Sequence, residues 1–432
     1  MTARIASVIG RQVWDSRGRP TVEAEVTLAN GKSGRAIAPA GASRGAHEAI
    51  DLRDGGERFG GYGVTSAVAG IAAEIAPALI GMDTRDQVAI DRVLCELDGT
   101  PNKARLGANA IVAVSLAALH AAAADAREPL WRYLADGRAV RLPLPEIQIF
   151  GGGAHAGRRT DVQDFMVMCP RAGSFRRALE ITDDVYRAAG RLMQERGPLS
   201  GVADEGGWWP DFKSNEDALD VLTRAIEASG HRAGEDVWIS LDIAANELGD
   251  AAGYRLALDD RQLSGEQMAA RIIEWCGRYP ILSVEDPAGQ DDWQTMAAVT
   301  TAIGDRVQII GDDVLVTNAA RVERAAAAGV CNAALIKVNQ VGTVSEAKAA
   351  LDAALSHDWG AIVSARSGES EDVAIAHLST GWNAGQLKVG SFTRSERMAK
   401  WNEVLRIEEA MGGDAVYAGA SAFAAPIREH LA

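Results

Sequence analysis

The chain has 432 residues, a 47% apolar fraction and a formal net charge of −15 at neutral pH. Its length indicates two or three domains, and its apolar fraction is that of a globular rather than a disordered protein. The acidic balance argues against a surface that binds nucleic acid or anionic membranes. We therefore expect a folded protein whose partners are neither nucleic acids nor membranes.

The cysteine positions and the apolar stretches predict the cellular location of the protein. The four cysteines lie far apart and form no CxxC pair, so we expect neither a zinc site nor a disulfide framework. The first residues lack the apolar core of a signal peptide. The longest apolar stretch, Ala110–Ala124, is too short for a membrane span and predicts a buried, alanine-rich helix. A cytoplasmic location is therefore expected.

The first part of the chain predicts an α+β domain. Residues 3–37 alternate apolar and polar side chains, which is typical of a three-stranded antiparallel meander. Helical patterns then continue to about Leu134. We place the domain boundary near Gly137, so that residues 1–137 form an α+β capping domain and residues 138–432 form a second domain.

The second part predicts a modified β/α barrel. Residues 144–150 and 161–169 are predicted to be adjacent strands with no helix between them, and two helical patterns follow. From Val237 to Gly390, six short runs rich in Val and Ile alternate with segments long enough for a returning helix. This order predicts an α/β fold, with ββαα followed by βα units instead of a simple (βα)8 barrel.

Charged residues mark the ends of these six runs. Asp242, Glu285 and Asp312 each end a different strand, and Lys337 and Lys388 lie in later ones. Functional side chains of a β/α barrel gather at the C-terminal ends of its strands. Three carboxylates at one mouth favour Mg²⁺ held by oxygen ligands. The alternative is that each acid separately caps a helix or ends a loop.

Three further residues suit acid–base chemistry. Lys337 has apolar neighbours, and a nearby divalent cation would lower its pKa and make it a general base. The alternative for Lys337 is a structural ion pair. Glu205 and Asp164 form a candidate acid pair, in which one gives a proton and the other holds it in place. The alternative is that both are exposed loop acids.

Anion-binding residues and mobile loops complete the predicted mouth. Arg366 and Ser367 offer a guanidinium fork and a hydroxyl to an anionic substrate, unless Arg366 is a surface residue. The glycine-rich loops GASRGAH, GGGAHAG and DEGGWW are predicted to be lids that exclude water. His155 in the second loop is a candidate substrate contact. Together these groups suit proton abstraction next to a carboxylate, with metal ions stabilising the resulting dianion.

The chain resembles the enolase family along nearly its whole length. The matching stretches are WDSRGRPTVE, GASRG, FMVM, DEGG, KSNEDAL, VEDP, GDD, VTN, LIKVNQVGTVSEA, RSGESED and RSERMAKWNEVLRIEE. The resemblance implies an enolase-like ββαα(βα)6 barrel with an N-terminal α+β capping domain. It also implies a homodimer or a higher homo-oligomer.

The resemblance assigns a role to each candidate residue. Lys337 would be the base, Glu205 the acid and Asp164 its partner. The implied ligands of a first Mg²⁺ are Asp242, Glu285 and Asp312, and Ser43 would help to hold a second, catalytic Mg²⁺. The implied substrate contacts are His155, Gln163, Arg366, Ser367 and Lys388.

The substrate side of the site departs from the family pattern. Enolases generally read SHRSGE where this chain has Ala365, and SGAST where it has Arg44. The usual acid of QEF is the shorter Asp164, and GGFAPN is replaced by a stretch with Trp208 and Trp209. The metal ligands and the base are kept, so these changes suit a larger or more anionic substrate, which Arg44 would help to bind.

These departures favour a specialised enolase paralogue. A carboxyphosphonoenolpyruvate synthase of phosphonate biosynthesis fits them, because such enzymes transfer a carboxyphosphonyl group from a nucleotide-activated donor to an enolpyruvate unit. Trp208 or Trp209 would stack on the nucleobase, and Arg44 would meet its phosphate. One alternative is an ordinary enolase that dehydrates 2-phosphoglycerate to phosphoenolpyruvate. Another is a non-catalytic binding protein, which should have lost the metal ligands and the base. The expected ligand is a small phosphorylated or phosphonylated acid.

Overall fold

A computed structural model describes residues 3–42, 44–250 and 253–431 of the chain. Ser43, the predicted ligand of the second Mg²⁺, lies outside the described residues, so its role stays a prediction. In the described part, an antiparallel sheet with helices comes first along the chain and a barrel comes second.

The described residues of the first part contain a three-stranded antiparallel sheet, in the order β1-β2-β3. Its strands are β1 (Ile5–Trp14), β2 (Pro20–Leu28) and β3 (Ser33–Ile37). The helices that follow are α1 (Thr65–Gly70), α2 (Ala76–Leu79), α3 (Gln87–Asp98), α4 (Ala108–Ala126) and α5 (Leu130–Ala135). A π-helical turn, Ile71–Ile75, joins α1 to α2. The predicted meander is confirmed.

Helix α4 forms the core of this first part. Gly34 in β3 approaches it so closely that a Cβ there would lie 2.3 Å from the carbonyl oxygen of Ala117. Small side chains on both elements make this contact possible. The helix is long and apolar enough to cross a membrane, but 83% of its apolar window is buried inside the protein. It is therefore a core helix, as predicted for Ala110–Ala124.

The second part contains the barrel. In chain order, its strands are β4 (Leu144–Gly151), β5 (Asp164–Met168), β6 (Trp238–Asp242), β7 (Gly249–Asp250), β8 (Gly253–Leu256), β9 (Arg261–Leu263), β10 (Ile281–Glu285), β11 (Gln308–Gly311), β12 (Ala333–Ile336), β13 (Gly360–Ser364) and β14 (Gly385–Ser391). Eight of these described strands close a barrel in the order β4-β5-β6-β10-β11-β12-β13-β14. Strands β7, β8 and β9 form a small separate antiparallel sheet, which the sequence analysis did not predict.

One barrel strand, β5, runs against its neighbours. It pairs antiparallel with β4 and β6, whereas the other neighbouring strands that the structure describes in the barrel pair parallel. Asp164 therefore begins β5 at the same mouth where Asp242 ends β6, and the two residues are register partners. The predicted ββαα start and the α/β fold class are confirmed.

The described residues of the second part contain ten α-helices. Ser174 and Ser214 cap the first two, because their hydroxyls accept hydrogen bonds from the backbone N–H groups of Arg177 and Asp217. The helices are α6 (Phe175–Arg196), α7 (Asn215–Ala228), α8 (Gly265–Arg278), α9 (Trp293–Ile303), α10 (Ala319–Ala327), α11 (Val338–Val341), α12 (Val344–Ser356), α13 (Ala374–Gly381), α14 (Ser395–Met411) and α15 (Ala425–Leu431).

The segment after β3 connects the first part to the barrel mouth. Ala40 and Gly368 exchange backbone hydrogen bonds of 2.9 and 2.8 Å, and Ala49 N–H donates to the Gln340 carbonyl at 2.7 Å. The first part therefore covers the barrel at its C-terminal end. The domain boundary predicted near Gly137 falls between α5 and β4 and stays a prediction.

Candidate active site

Three carboxylates stand at the ends of adjacent barrel strands. Asp242 and Glu285 are the last residues of β6 and β10, and Asp312 directly follows β11. These strands are parallel neighbours, so their carboxylates share one mouth. Lys388 of β14 reaches the same place, with its Nζ 2.9 Å from Asp242 Oδ2 and 2.7 Å from Glu285 Oε2. The structure thus brings the three predicted metal ligands and a predicted substrate lysine together.

The chemistry of this group fits a hard divalent cation. Glu285 Oε1 is buried and has no hydrogen-bond partner among the residues that the structure describes. Burial, and then the negative charge of Asp242, raise the pKa of Glu285 well above its usual value. An orphaned carboxylate oxygen beside two further carboxylates forms the all-oxygen donor set that Mg²⁺ prefers. The donor type therefore suits Mg²⁺, but the three carboxylates whose oxygens lie within 4.8 Å of one another are those of Asp286, Asp312 and Asp313, so Asp242, Glu285 and Asp312 stay predicted ligands.

Asp286 and Asp313 extend this acidic group, and the sequence analysis assigned neither a role. The backbone N–H groups of Asp312 and Asp313 donate to the Asp286 carboxylate at 2.9 and 2.8 Å. Asp286 holds this position with a φ of 42°, in the left-handed region. Burial, together with Asp312, raises the pKa of Asp313 to about 7. The only sequence signal was that both acids directly follow a predicted metal ligand.

Lys337 follows β12 and is largely buried. Its Nζ lies 2.5 Å from Asp312 Oδ2, and its backbone N–H donates to Thr317 Oγ1 at 2.9 Å. Burial disfavours the charged ammonium, but the nearby carboxylates, chiefly Asp312 and then Glu285, together outweigh burial and raise the pKa of Lys337. The predicted lowering of this pKa applies beside a bound divalent cation and stays a prediction. When Asp312 instead binds a cation, it stabilises the ammonium less, and the neutral amine needed for a base becomes accessible.

His155 lies between the two candidate acids. Its Nδ1 is 3.1 Å from Asp164 Oδ1, and its Nε2 is 3.7 Å from Glu205 Oε1. Burial disfavours the imidazolium, but Glu205 and Asp164 outweigh burial and raise the pKa of His155 to about 9. In turn, the charge and hydrogen bond of His155, with Lys388 and Gln148, together outweigh burial and lower the pKa of Asp164. The roles of Glu205 and Asp164 as an acid pair stay predictions.

Arg366 meets a carboxylate from the first part of the chain. Its guanidinium donates to Glu48 Oε2 at 3.0 Å and to Glu48 Oε1 at 3.2 Å, and both side chains are almost fully buried. Glu48 Oε1 also accepts from Gly45 N–H at 3.1 Å. Arg366 is therefore part of the site and not a surface residue. The sequence analysis missed Glu48, whose only signal was its place directly after the loop GASRGAH.

Ser367 and Gln163 lie in the same cavity as the acids. Ser367 Oγ accepts from Ala42 N–H at 3.2 Å. Gln163 Nε2 donates to Asp242 Oδ2 at 3.1 Å, while its Oε1 is buried without a partner in the described part of the chain. Gln163 Oε1 is therefore available to a ligand, and the roles of both residues as substrate contacts stay predictions.

The cavity between these groups is small, with a volume of about 30 Å³. The role of the glycine-rich loops as lids stays a prediction. Ala365 is one of the lining residues, which are His155, Gln163, Asp164, Glu205, Asp242, Ala244, Asp286, Asp312, Asp313, Lys337, Ser364, Ala365, Arg366, Ser367, Lys388 and Val389.

Two residues predicted to meet a nucleotide-activated donor are engaged elsewhere. Arg44 is exposed, and its Nη2 lies 3.3 Å from Asp51 Oδ2. The Trp208 ring stacks on Tyr186 with the ring centroids 4.8 Å apart, and its Nε1 donates to the Tyr186 carbonyl at 2.9 Å. Trp208 and Arg44 therefore both have protein partners, and stacking by Trp209 stays a prediction. A substrate-binding role for Arg44 stays a prediction.

Two family models match the chain, the enolase N-terminal domain over residues 5–134 and the enolase C-terminal TIM barrel domain over residues 139–426. The chain belongs to the enolase family. It is similar to Enolase 1 of Desulfitobacterium hafniense (strain Y51), with 48% identity over 425 residues, covering 98% of this chain and 97% of the relative. These matches confirm the predicted family.

Membership of the enolase family makes the protein an enzyme of the lyase class. Enolases typically depend on magnesium and act on phosphorylated three-carbon acids, which agrees with the carboxylate group at the mouth. Neither comparison supports the carboxyphosphonoenolpyruvate synthase branch that the sequence departures favoured. The same matches do not support the alternative of a non-catalytic binding protein.

Proposed function

We propose that this enolase-family enzyme dehydrates 2-phosphoglycerate to phosphoenolpyruvate. The observation that carries the proposal is the placement of the candidate base and the candidate acids across the barrel. Lys337 follows β12, and Asp164 begins β5, which is four strands away in either direction around the eight described barrel strands. The two groups therefore face each other across the mouth, as an elimination with a base and an acid on opposite faces requires.

The chain's own residues divide the reaction between these two sides. Lys337 Nζ, as a neutral amine, would take the proton from C2, and the electron pair of the broken C–H bond would pass into the substrate carboxylate. Glu205 would then give a proton to the C3 hydroxyl, so that the C–O bond breaks and water leaves. His155 and Asp164 would hold Glu205 and the leaving group in place.

The remaining residues would bind and orient the substrate. Asp242, Glu285 and Asp312 would hold Mg²⁺, which when bound supplies positive charge to the substrate carboxylate. Arg366 and Ser367 would contact the phosphoryl group, with Glu48 holding the guanidinium in its plane. A second Mg²⁺ at Ser43 stays part of the proposal.

Two observations favour dehydration over phosphonyl transfer. The Trp208 ring is packed on Tyr186 and Arg44 is paired with Asp51, so two of the three groups expected to bind a nucleotide have protein partners. The matched relative carries the name enolase. A cytoplasmic location and assembly into a homodimer or a higher homo-oligomer remain part of this proposal.

The proposal is tested by assaying the protein with 2-phosphoglycerate and Mg²⁺ and following the absorbance of the enolpyruvate product. Lys337→Ala should lower kcat by about 10²- to 10⁴-fold, the range that a positioned general base contributes. Lys348→Ala is the matched control, because Lys348 in α12 pairs with Asp352 and lies outside the cavity lining. Exchange of the C2 proton with solvent deuterium should also depend on Lys337.

Absence of turnover by the wild-type protein, with C2 exchange retained, would contradict dehydration and leave proton abstraction with a different product. A Lys337→Ala variant that turns over at the rate of Lys348→Ala would remove the assignment of Lys337 as the base.

A further inference from the structure

A buried amide, Gln148 of β4, touches both halves of the candidate acid group. Its Nε2 donates to Asp164 Oδ1, and its Oε1 accepts from Gly207 N–H at 2.8 Å. Gln148 is fully buried. Gly207 lies two residues after Glu205, so one side chain holds both Asp164 and the loop that carries Glu205. Neither the family matches nor the sequence motifs assign Gln148 a role.

The contact with the loop is tight enough to require glycine. A Cβ at Gly207 would lie 2.5 Å from Gln148 Oε1 and 2.8 Å from Gly151 N. A Cβ at Gly151 would lie 3.2 Å from the same amide oxygen and 2.5 Å from Ala203 Cβ. The two glycines therefore leave the space in which the amide reaches the loop. This explains why position 207, two residues after Glu205, is a glycine.

Gln148 also anchors a longer chain of hydrogen bonds. Asp164 Oδ1 accepts from Gln148 and lies 3.1 Å from His155 Nδ1, and His155 Nε2 lies 3.2 Å from Ser367 Oγ. Ser367 Oγ in turn accepts from Ala42 N–H. Gln148 and Asp164 sit on the neighbouring barrel strands β4 and β5, whereas His155 and Ser367 lie on segments at the mouth.

We propose that Gln148 is a positioning residue that places Glu205 and Asp164 opposite Lys337. The inference rests on the proposed function and deepens it. Gln148 touches the acid side of the mouth, so its contacts serve loss of the C3 hydroxyl and not removal of the C2 proton. The length of the Gln148 side chain also matches Asp164. Aspartate is one methylene shorter than the glutamate usual at this position, and the Gln148 amide still reaches its carboxylate.

The first test replaces Gln148 with methionine, which keeps the volume but loses both hydrogen bonds. In Gln148→Met, we expect kcat for dehydration to fall about 100-fold, the lower end of what a positioned acid contributes. Exchange of the C2 proton, which depends on Lys337, should stay within about 3-fold of wild type. A purely structural role would lower both rates together with the melting temperature, and that result would overturn the proposal.

The second test exchanges side-chain length between the two partners. Gln148→Asn shortens the pair by one methylene and Asp164→Glu lengthens it by one. Each single variant should therefore lower kcat for dehydration. The double variant restores the summed length and should recover most of the lost kcat. A double variant no better than the worse single variant would argue that Gln148 and Asp164 act independently, contrary to the proposal.

The third test does not depend on turnover. Hydrogen exchange of the Gly207 amide should be slow in the wild-type protein, because its N–H is bonded to Gln148 Oε1. In Gln148→Met, protection should be lost at this amide while the rest of the barrel is unchanged. Unchanged protection would overturn the proposal even if the wild-type protein dehydrates 2-phosphoglycerate. If the wild-type protein lacks dehydration, the proposed function fails, and this measurement still decides whether Gln148 positions the loop.

Discussion

Glu146 is an ionisable residue inside the barrel and the register partner of Lys388 in the neighbouring strand. It is fully buried, and its Oε2 accepts from Ser240 Oγ at 2.9 Å. Its Oε1 has no hydrogen-bond partner within the described residues. Burial raises the pKa of Glu146 to about 7. The folded protein therefore holds a proton on Glu146 under conditions in which the unfolded chain has lost it.

This pKa predicts how stability depends on pH. Because the folded pKa is raised above the unfolded value of 4.5, the stability from the protonated carboxyl is present below pH 4.5 and lost as pH rises to about 7. The amide introduced by Glu146→Gln stays neutral at every pH. We expect the free energy of unfolding of Glu146→Gln to exceed that of wild type by an amount that grows by about 3 kcal/mol as pH rises from 4.5 to about 7. Melting temperatures of both proteins from about pH 4.5 to about pH 8 measure the effect.

The control for this prediction is Glu57→Gln, because Glu57 is exposed. Its melting temperature should differ from wild type by a small and nearly constant amount across the same pH range. A Glu146→Gln difference that does not change with pH would mean that Glu146 is ionised in the folded protein.

At the scale of elements, helix α14 supports the substrate side of the site from behind. Lys400 is fully buried, and its Nζ donates to the Ser370 carbonyl at 2.6 Å and lies 3.0 Å from Glu369 Oε2. Glu369 Oε1 accepts from the backbone N–H of Arg366 at 2.9 Å. Arg397, one turn earlier, donates to the Arg366 carbonyl at 2.7 Å. The helix thus holds the loop after β13 on both sides of its backbone.

This arrangement predicts the effect of removing the Lys400 charge. Lys400→Met leaves the Glu369 carboxylate buried without its cation, which should cost about 3 to 5 kcal/mol of stability. Freed from this contact, the Arg366 backbone is held less firmly, so KM for 2-phosphoglycerate should rise more than kcat falls. Urea unfolding and steady-state kinetics measure the two effects.

Lys348→Met serves as the control for Lys400→Met. Its partner Asp352 is well exposed, so losing that ion pair should cost less than about 1 kcal/mol. Equal stability of the two variants would show that Lys400 does not compensate the buried Glu369 charge.

At the scale of the whole molecule, closure of the barrel gathers carboxylates from several strands at one mouth. We expect Mg²⁺ to stabilise the folded protein, because binding to the native state alone adds about 2.7 kcal/mol at a hundred times the dissociation constant. Melting temperature in Mg²⁺ and in a chelator, at matched ionic strength, measures this gain. Asp242→Asn should remove most of it, because Asp242 is one of the three proposed ligands.

Asp291→Asn is the matched control for the metal prediction, because Asp291 is highly exposed. It should respond to Mg²⁺ as the wild-type protein does. If Mg²⁺ leaves the wild-type melting temperature unchanged, the proposed metal site is wrong, and if Asp242→Asn responds fully, the ligand assignment is wrong.

The amino-acid sequence by itself determined the elements and the kinds of chemistry they carry. The short apolar runs of β6 and β10 and the acids that end them are local patterns, because a buried strand and a polar strand end both lie within a few residues. The same holds for the two helical patterns that correspond to α6 and α7. The family resemblance added residue roles, and the matches over the two enolase domains confirmed the family.

Only the tertiary structure decided which of these groups meet. Gln148 with Gly207, and Glu48 with Arg366, are far apart along the chain and come together through barrel closure and the covering of its mouth. The direction of the Lys337 pKa also depends on such a contact, because Asp312 lies at the end of a neighbouring strand. Sequence spacing carries no signal for contacts of this kind, since they are set by strand register and barrel closure rather than by local pattern.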